Sequence, residues 1–216
     1  MGNRPHPHAC LADGLLTLDT GCLRRTFLWN NGLLIGHTIE RHDLDLRLEL
    51  SGDAPRLCFP GIEASPEDVS LEVAEMAGSA HLFPHTLAVV NMQLGALAVR
   101  QTFRLYANCP AIACDISLRR DGALPPWRSQ ISHDGDLRNI ETAAAAGEGA
   151  ILDTVIEHIG LPGRHWNMRA VKFQDITDRN NNLVSTEEIL PYRHERRLSG
   201  NLLLIQGLLE PAGLFV

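Results

Sequence analysis

Apolar and polar positions alternate with a period of two along much of the chain, most clearly over residues 97–119. On the first arm of that stretch Leu97, Val99, Phe103 and Leu105 share one parity, while Arg100, Thr102 and Arg104 take the other. On the second arm Ile112, Cys114, Ile116 and Leu118 alternate with Ala111, Ala113, Asp115, Ser117 and Arg119. Successive side chains of a strand point to opposite faces, so this pattern predicts two strands with one buried and one wet face. Asn108-Cys109-Pro110 lies between them, and proline, with fixed φ and no N–H, suits a turn. A lone hairpin cannot cover its apolar face, so further strands are required.

The remaining pattern supplies them. Residues 1–14 read as a flexible N-terminus, in which His6, His8 and Cys10 belong to a frayed end and not to a metal site. Strands are predicted at Leu15–Asp19, 22–29 and 33–39, with Asn30-Asn31-Gly32 as a hairpin turn tolerant of positive φ. Leu44, Leu46, Leu48 and Leu50 alternate with Asp43, Asp45, Arg47, Glu49 and Ser51, a half-buried strand. Residues 52–66 read as loop, 69–75 and 87–94 as strands, and 121–136 as a Gly- and Pro-containing break. Residues 142–146 fit one helical turn or a loop. Residues 150–161 fit a helical face through Leu152, Val155, Ile156 and Ile159, or a strand through Val155, Ile159 and Leu161; the neighbouring strands tip the reading to strand. Residues 168–175 and 201–205 are strands, 178–182 and 206–212 turns, and 213–216 begins another strand. Ending on Leu214-Phe215-Val216, without polar tail or cap, implies that the natural polypeptide continues. So many strands with few short helices predict an all-β antiparallel sandwich, one domain over 15–216.

Composition narrows the function classes. The 216 residues are 44% hydrophobic, enough for a core, and carry a net charge of −7, which argues against a nucleic-acid surface. Five cysteines, an odd number with no CxxC, indicate neither a zinc site nor a disulfide framework, and Cys22 and Cys114 read as small buried hydrophobes. No run of 18 apolar residues predicts a membrane span, and no charged-then-apolar signal opens the chain. A cytoplasmic protein is the expectation, although a removed signal peptide would leave no trace. No phosphate loop, dinucleotide fingerprint or zinc-protease motif calls for a cofactor or a metal.

Candidate chemistry is sparse. Glycoside hydrolysis needs two carboxylates about 5–10 Å apart, and no local arrangement selects a pair; Asp43 and Asp45 read as a solvated strand face. A G-x-S-x-G elbow is missing. The richest polar and aromatic cluster is Arg164-His165-Trp166, followed by Asp178, Arg179 and Asn180, with Trp127 after a Pro-Pro pair. An aromatic plane with Arg, amide and carboxylate partners suits a sugar or a contact with another domain. The same residues also read as structural, with Trp166 packed over a sheet edge and Asp178-Arg179-Asn180 building a turn. Trp29, at a hairpin end, reads as structural.

Four stretches, CLRRTFLWNNGLL, RQTFRLYANCPAIACDISLR, RAVKFQDITDRNNNLV and GNLLLIQGLLEPAGLFV, lie in that order in this chain. Together they resemble the N-terminal β-supersandwich domain of bacterial α-galactosidase-like enzymes, relatives of glycoside hydrolase family 36. The resemblance implies a galactose mutarotase-like fold that precedes a catalytic (β/α)8 barrel bearing both catalytic aspartates. No catalytic residue is therefore carried over to this chain. It further implies a non-catalytic role that supports the barrel and takes part in oligomer contacts. Two alternatives stay open: a stand-alone carbohydrate-binding module, and an enzyme similar to an aldose 1-epimerase. The latter needs a His acid and a carboxylate base, for which His133, His158 and His165 with Glu157 or Asp175 are the candidates.

Overall fold

A computed structural model describes residues 6–59, 62, 64–120, 156–162, 166–173, 184–189, 202–208 and 213–215. Among them the protein is all-β, every strand pairing is antiparallel, and there is no helix. The chain divides into two compact units, Met1–Leu161 and Pro162–Val216, where the pattern predicted one domain.

The first unit is a sandwich of two sheets. One sheet is a meander of β1 (His8–Ala12), β2 (Leu15–Asp19), β3 (Leu23–Asn30), β4 (Leu33–Arg41) and β5 (Leu46–Glu49), in that spatial order. The other is β6 (Pro66–Met76), β7 (His85–Leu94), β8 (Leu97–Tyr106) and β9 (Ala113–Arg120), again in order. The expected flexible N-terminus is thus a strand from His8 onward, fixed by ladder pairing with β2. Its sequence, HACLA, gave no strong alternation, because four of its five residues are exposed at a sheet edge.

The inner faces meet in one core. Leu16, Leu18, Phe27 and Leu34 of the first sheet pack against Ala88, Val90, Phe103 and Leu105 of the second. The rings of Phe27 and Phe103 lie 6.2 Å apart, within the range at which tilted aromatic pairs attract. A second cluster is made where the loop after β5 folds inward, so that Leu57 and Phe59 cover Met92, Leu94, Leu97 and Val99. Side chains tie the sheets at their ends: the Thr20 hydroxyl donates to the Cys109 carbonyl at 2.6 Å and the Thr86 hydroxyl to the Pro7 carbonyl at 2.7 Å.

Turn chemistry sets the registers. Asn31 and Gly32 both have positive φ, 47° and 85°, as a tight β-hairpin of matching twist requires. Asp13 and Gly14 repeat the device between β1 and β2. The alternating leucines from Leu44 to Leu50 yield a shorter strand than expected. Asp45 turns at φ 49°, Leu44 stays 60% exposed, and only Leu48 of the four is buried.

The second unit contains one sheet in the order β11-β10-β12-β13, with β10 at Trp166–Phe173, β11 at Val184–Ile189, β12 at Leu202–Gly207 and β13 at Gly213–Phe215. Among its described residues Trp166, Met168, Ala170 and Ile205 are apolar and buried. The predicted strands near 168–175, 201–205 and 213–216 are present, and β11 had no predicted counterpart. The break at 121–136, the small-residue stretch 142–146 and the turn at 178–182 lie outside the described residues. Residues 156–161 are neither strand nor helix; an irregular segment stands where a strand was expected.

Candidate functional site

Two polar constellations stand out in the first unit. One is part-buried and built from four separate parts of the chain. Arg25 comes from β3, Arg56 from the loop after β5, Gln101 from β8 and Glu157 from the irregular segment. Arg25 donates through Nη2 to Glu157 Oε1 at 2.5 Å and through Nη1 to Oε2 at 3.4 Å. Arg56 Nε donates to Glu157 Oε2 at 2.8 Å, and Arg56 Nη1 donates to Gln101 Oε1 at 2.8 Å. Arg56 is 4% exposed and Gln101 1%.

Backbone contacts place these groups. The Arg56 N–H donates to the Leu34 carbonyl at 2.7 Å, beside a bridge between Ile35 and Pro55. The Ser51 N–H donates to the Gly160 carbonyl at 2.6 Å, which lays the 157–161 segment alongside the exit of β5. Only glycine fits there, since a Cβ on residue 160 would fall 1.4 Å from the Ser51 carbonyl oxygen. The guanidiniums also lie over the aromatic core, Arg25 at 4.5 Å from the Phe27 ring centre and Arg56 at 5.2 Å from that of Phe103. Two cations held by one carboxylate, one amide and two aromatic faces form a satisfied network, apart from Arg25 Nε, which has no partner among the described residues.

Cys114 borders this network. Burial pushes its thiol up, the nearby Arg56 guanidinium pulls it down, and the Glu157 carboxylate adds to the upward push; the net shift is upward. A thiol shifted that way is a poor nucleophile. Cys22 and Cys114 are half-buried, less enclosed than the pattern suggested.

The other constellation is a groove of about 330 Å³ on the outer face of the β6–β9 sheet. Its rows follow from the register: Asn91, Arg100 and Ser117 face one another across three strands, as do Gln93, Ala98 and Arg119. A bulge in β6 sets two residues, Asp68 and Val69, opposite the single Met92 between the pairs Glu67–Gln93 and Ser70–Asn91, one residue more than the ladder needs. Val69 packs into the core, and Asp68, at φ 50°, lines the groove. Bulges commonly re-aim a side chain in this way. Arg100 Nε donates to Asn91 Oδ1 at 2.9 Å, and Asn91 Nδ2 is held by the Ser70 hydroxyl at 3.2 Å.

Of the residues singled out from sequence, Trp166 begins β10, is 8% exposed, and donates its indole N–H to the Pro162 carbonyl at 2.8 Å. It is placed as a core residue of its unit with its polar handle already used. Arg164, His165, Asp178, Arg179, Asn180 and Trp127 lie outside the described residues, as do His133 and Asp175. Trp29 packs against the main core. Sequence reasoning missed Arg25, Arg56 and Gln101. The available signal was Gln101, a polar residue at the parity of Leu97, Val99, Phe103 and Leu105. Among the described residues no group of three His, Cys, Asp or Glu is placed to hold a metal ion, and no helix is long and apolar enough to cross a membrane.

Comparison of the chain with protein-family models, with curated proteins and with solved structures found no match.

Proposed function

We propose that the chain is a non-catalytic β-sandwich domain of an α-galactosidase-like glycoside hydrolase, supporting a separate catalytic barrel and contributing to oligomer contacts. The observation that carries this reading is the commitment of Glu157. Both of its oxygens already accept from guanidinium N–H groups, at 2.5 Å and 2.8 Å. Swinging it towards a substrate would leave two arginines inside the sandwich without their counter-ion, which is strongly unfavourable. The same fact weighs against an epimerase with Glu157 as base, since two guanidinium partners favour the ionised carboxylate and so weaken it as a base. The four resembling stretches supply the family term of the proposal, and the enclosed all-β core suits a supporting domain.

The test is an assay of the purified 216-residue protein on aryl α-galactosides, alongside polarimetric mutarotation of α-glucose. Neither reaction is expected to exceed the buffer rate. Turnover of either substrate that is lost in Glu157→Gln, with the fold intact by circular dichroism, would overturn the reading.

A further inference from the structure

We propose that the outer edge of β6, with the turn that follows it, docks an extended basic strand of a partner protein. Among the described residues β6 pairs only with β7 and so ends its sheet. An edge strand presents a row of unpaired N–H and C=O groups, which proteins blunt with proline, bulges or lysine. Pro66 and the bulge at Asp68 and Val69 do so at the start of β6. From Ser70 to Met76 the register with β7 is unbroken, and that stretch holds no proline, lysine or arginine. Register also sets Val73, Ala88 and Phe103 in one row of core parity. Ala88 and Phe103 are buried, yet Val73 is 46% exposed. The next row of that parity is Glu75, Thr86 and Leu105, and again only the β6 member is exposed. The core is thus closed at the centre of the sheet and open along β6.

These rows define the chemistry of the occupant. A strand added alongside β6 sets an apolar side chain beside Val73 and, two positions along on the same face, a cation beside Glu75. Residues 57–99 carry Glu63, Glu67, Asp68, Glu72 and Glu75 and no lysine or arginine, so the edge is acidic throughout. Glu72 faces the other way and already accepts from Asn91 Nδ2 at 3.4 Å, so Glu75 is the carboxylate offered to a partner. Past the end of β6 the apolar surface continues through Met76, Leu82 and Phe83, the last 82% exposed. An ordered turn presents it. The Ser79 N–H donates to the Leu82 carbonyl at 2.8 Å, the Leu82 N–H donates to the Ser79 hydroxyl at 3.1 Å, and His85 Nδ1–H donates to the Phe83 carbonyl at 2.8 Å. An aromatic side chain held out by a fixed turn costs little entropy to dock. Pairing of β6 with β6 of a second copy would set two acidic strands side by side, which like-charge repulsion opposes.

This inference goes beyond the supporting role proposed above and does not depend on it. Failure of strand binding would leave that role standing, and glycosidase turnover would leave this edge standing. The experiment is NMR titration of the full chain with a blocked peptide of alternating valine and lysine. Its controls are the same peptide with glutamate for lysine, the same peptide with a central proline, and phosphatidylserine vesicles. The valine-lysine peptide is expected to bind at least about tenfold more tightly than either control peptide, since the one lacks the charge and the other cannot extend a ladder. Binding should slow hydrogen exchange of backbone amides within Ser70–Met76. Val73→Lys is expected to weaken binding at least about tenfold, because an inward-pointing charge on an edge strand excludes a further strand. Glu75→Lys, which reverses the charge at an exposed position, should weaken it comparably. Circular dichroism checks that both variants keep the fold. Equal affinity for the glutamate or proline peptide, unchanged binding in both variants, or no binding of the valine-lysine peptide would overturn the proposal. So would self-association through β6, or adsorption to the vesicles, in place of peptide binding.

Discussion

At the scale of single residues, charge in this protein is placed to hold strands together. Asp19 is 4% exposed, accepts from the Gly21 N–H at 2.7 Å and from Arg24 Nε at 2.8 Å, and lies 3.5 Å from His42 Nε2. Burial alone would raise its carboxyl; the Gly21 N–H and the Arg24 guanidinium outweigh burial and hold it below the ordinary 3.8. A carboxyl whose folded pKa is depressed contributes stability that is fully present above its unfolded value and is lost as pH falls through the folded one. Asp19→Asn should therefore cost about 2 kcal/mol near neutral pH, the worth of a hydrogen-bonded charge. That gap should narrow as pH drops below the ordinary 3.8. Urea unfolding of both proteins across acid pH checks this, and a gap that widens on acidification would contradict it. Asp43 is different in kind: its Arg41 partner draws its carboxyl down to about 2, but on an exposed turn.

At the scale of elements, strand existence followed from the period-two pattern, because a half-buried strand shows its two faces in the sequence. The arms around Asn108 and the turn at Asn31-Gly32 are examples. Legibility failed where a tertiary contact, not a pattern, fixed the backbone. His8–Ala12 is a strand through its ladder with β2, and residues 156–161 are irregular because they lie against Ser51. The arginine network was illegible for the same reason: its members are separated by up to 132 positions, and nothing local marks them as partners. The groove was hidden too, since Arg100 and Arg119 read as ordinary wet-face residues until the register set them on one diagonal. Gly160 gives the sharpest test at this scale. A methyl group there must push the segment away from Ser51, and backbone cannot yield as a flexible side chain does. Gly160→Ala is expected to destabilise by about 2–4 kcal/mol, within the range of overpacking and lost network contacts combined. Chemical denaturation measures it, and a change under about 0.5 kcal/mol, that of an ordinary surface site, would show that the segment is not docked as described.

At the scale of the molecule, the first unit is closed by long-range polar ties as much as by its apolar core. Arg56 and Glu157 join a loop, a distant segment and, through Gln101, the centre of the second sheet. Their charges are spent on assembly, and the supporting role proposed above rests on that. A double-mutant cycle with Arg56→Met and Glu157→Gln, followed by urea unfolding, tests that claim most directly, because the loss of the Gln101 contact appears in both arms and cancels. The account predicts that Glu157→Gln alone costs about 3 kcal/mol and that the pair couples by about 1.5 kcal/mol or more. Additive effects within about 0.5 kcal/mol, with a Glu157→Gln protein as stable as the parent, would contradict it.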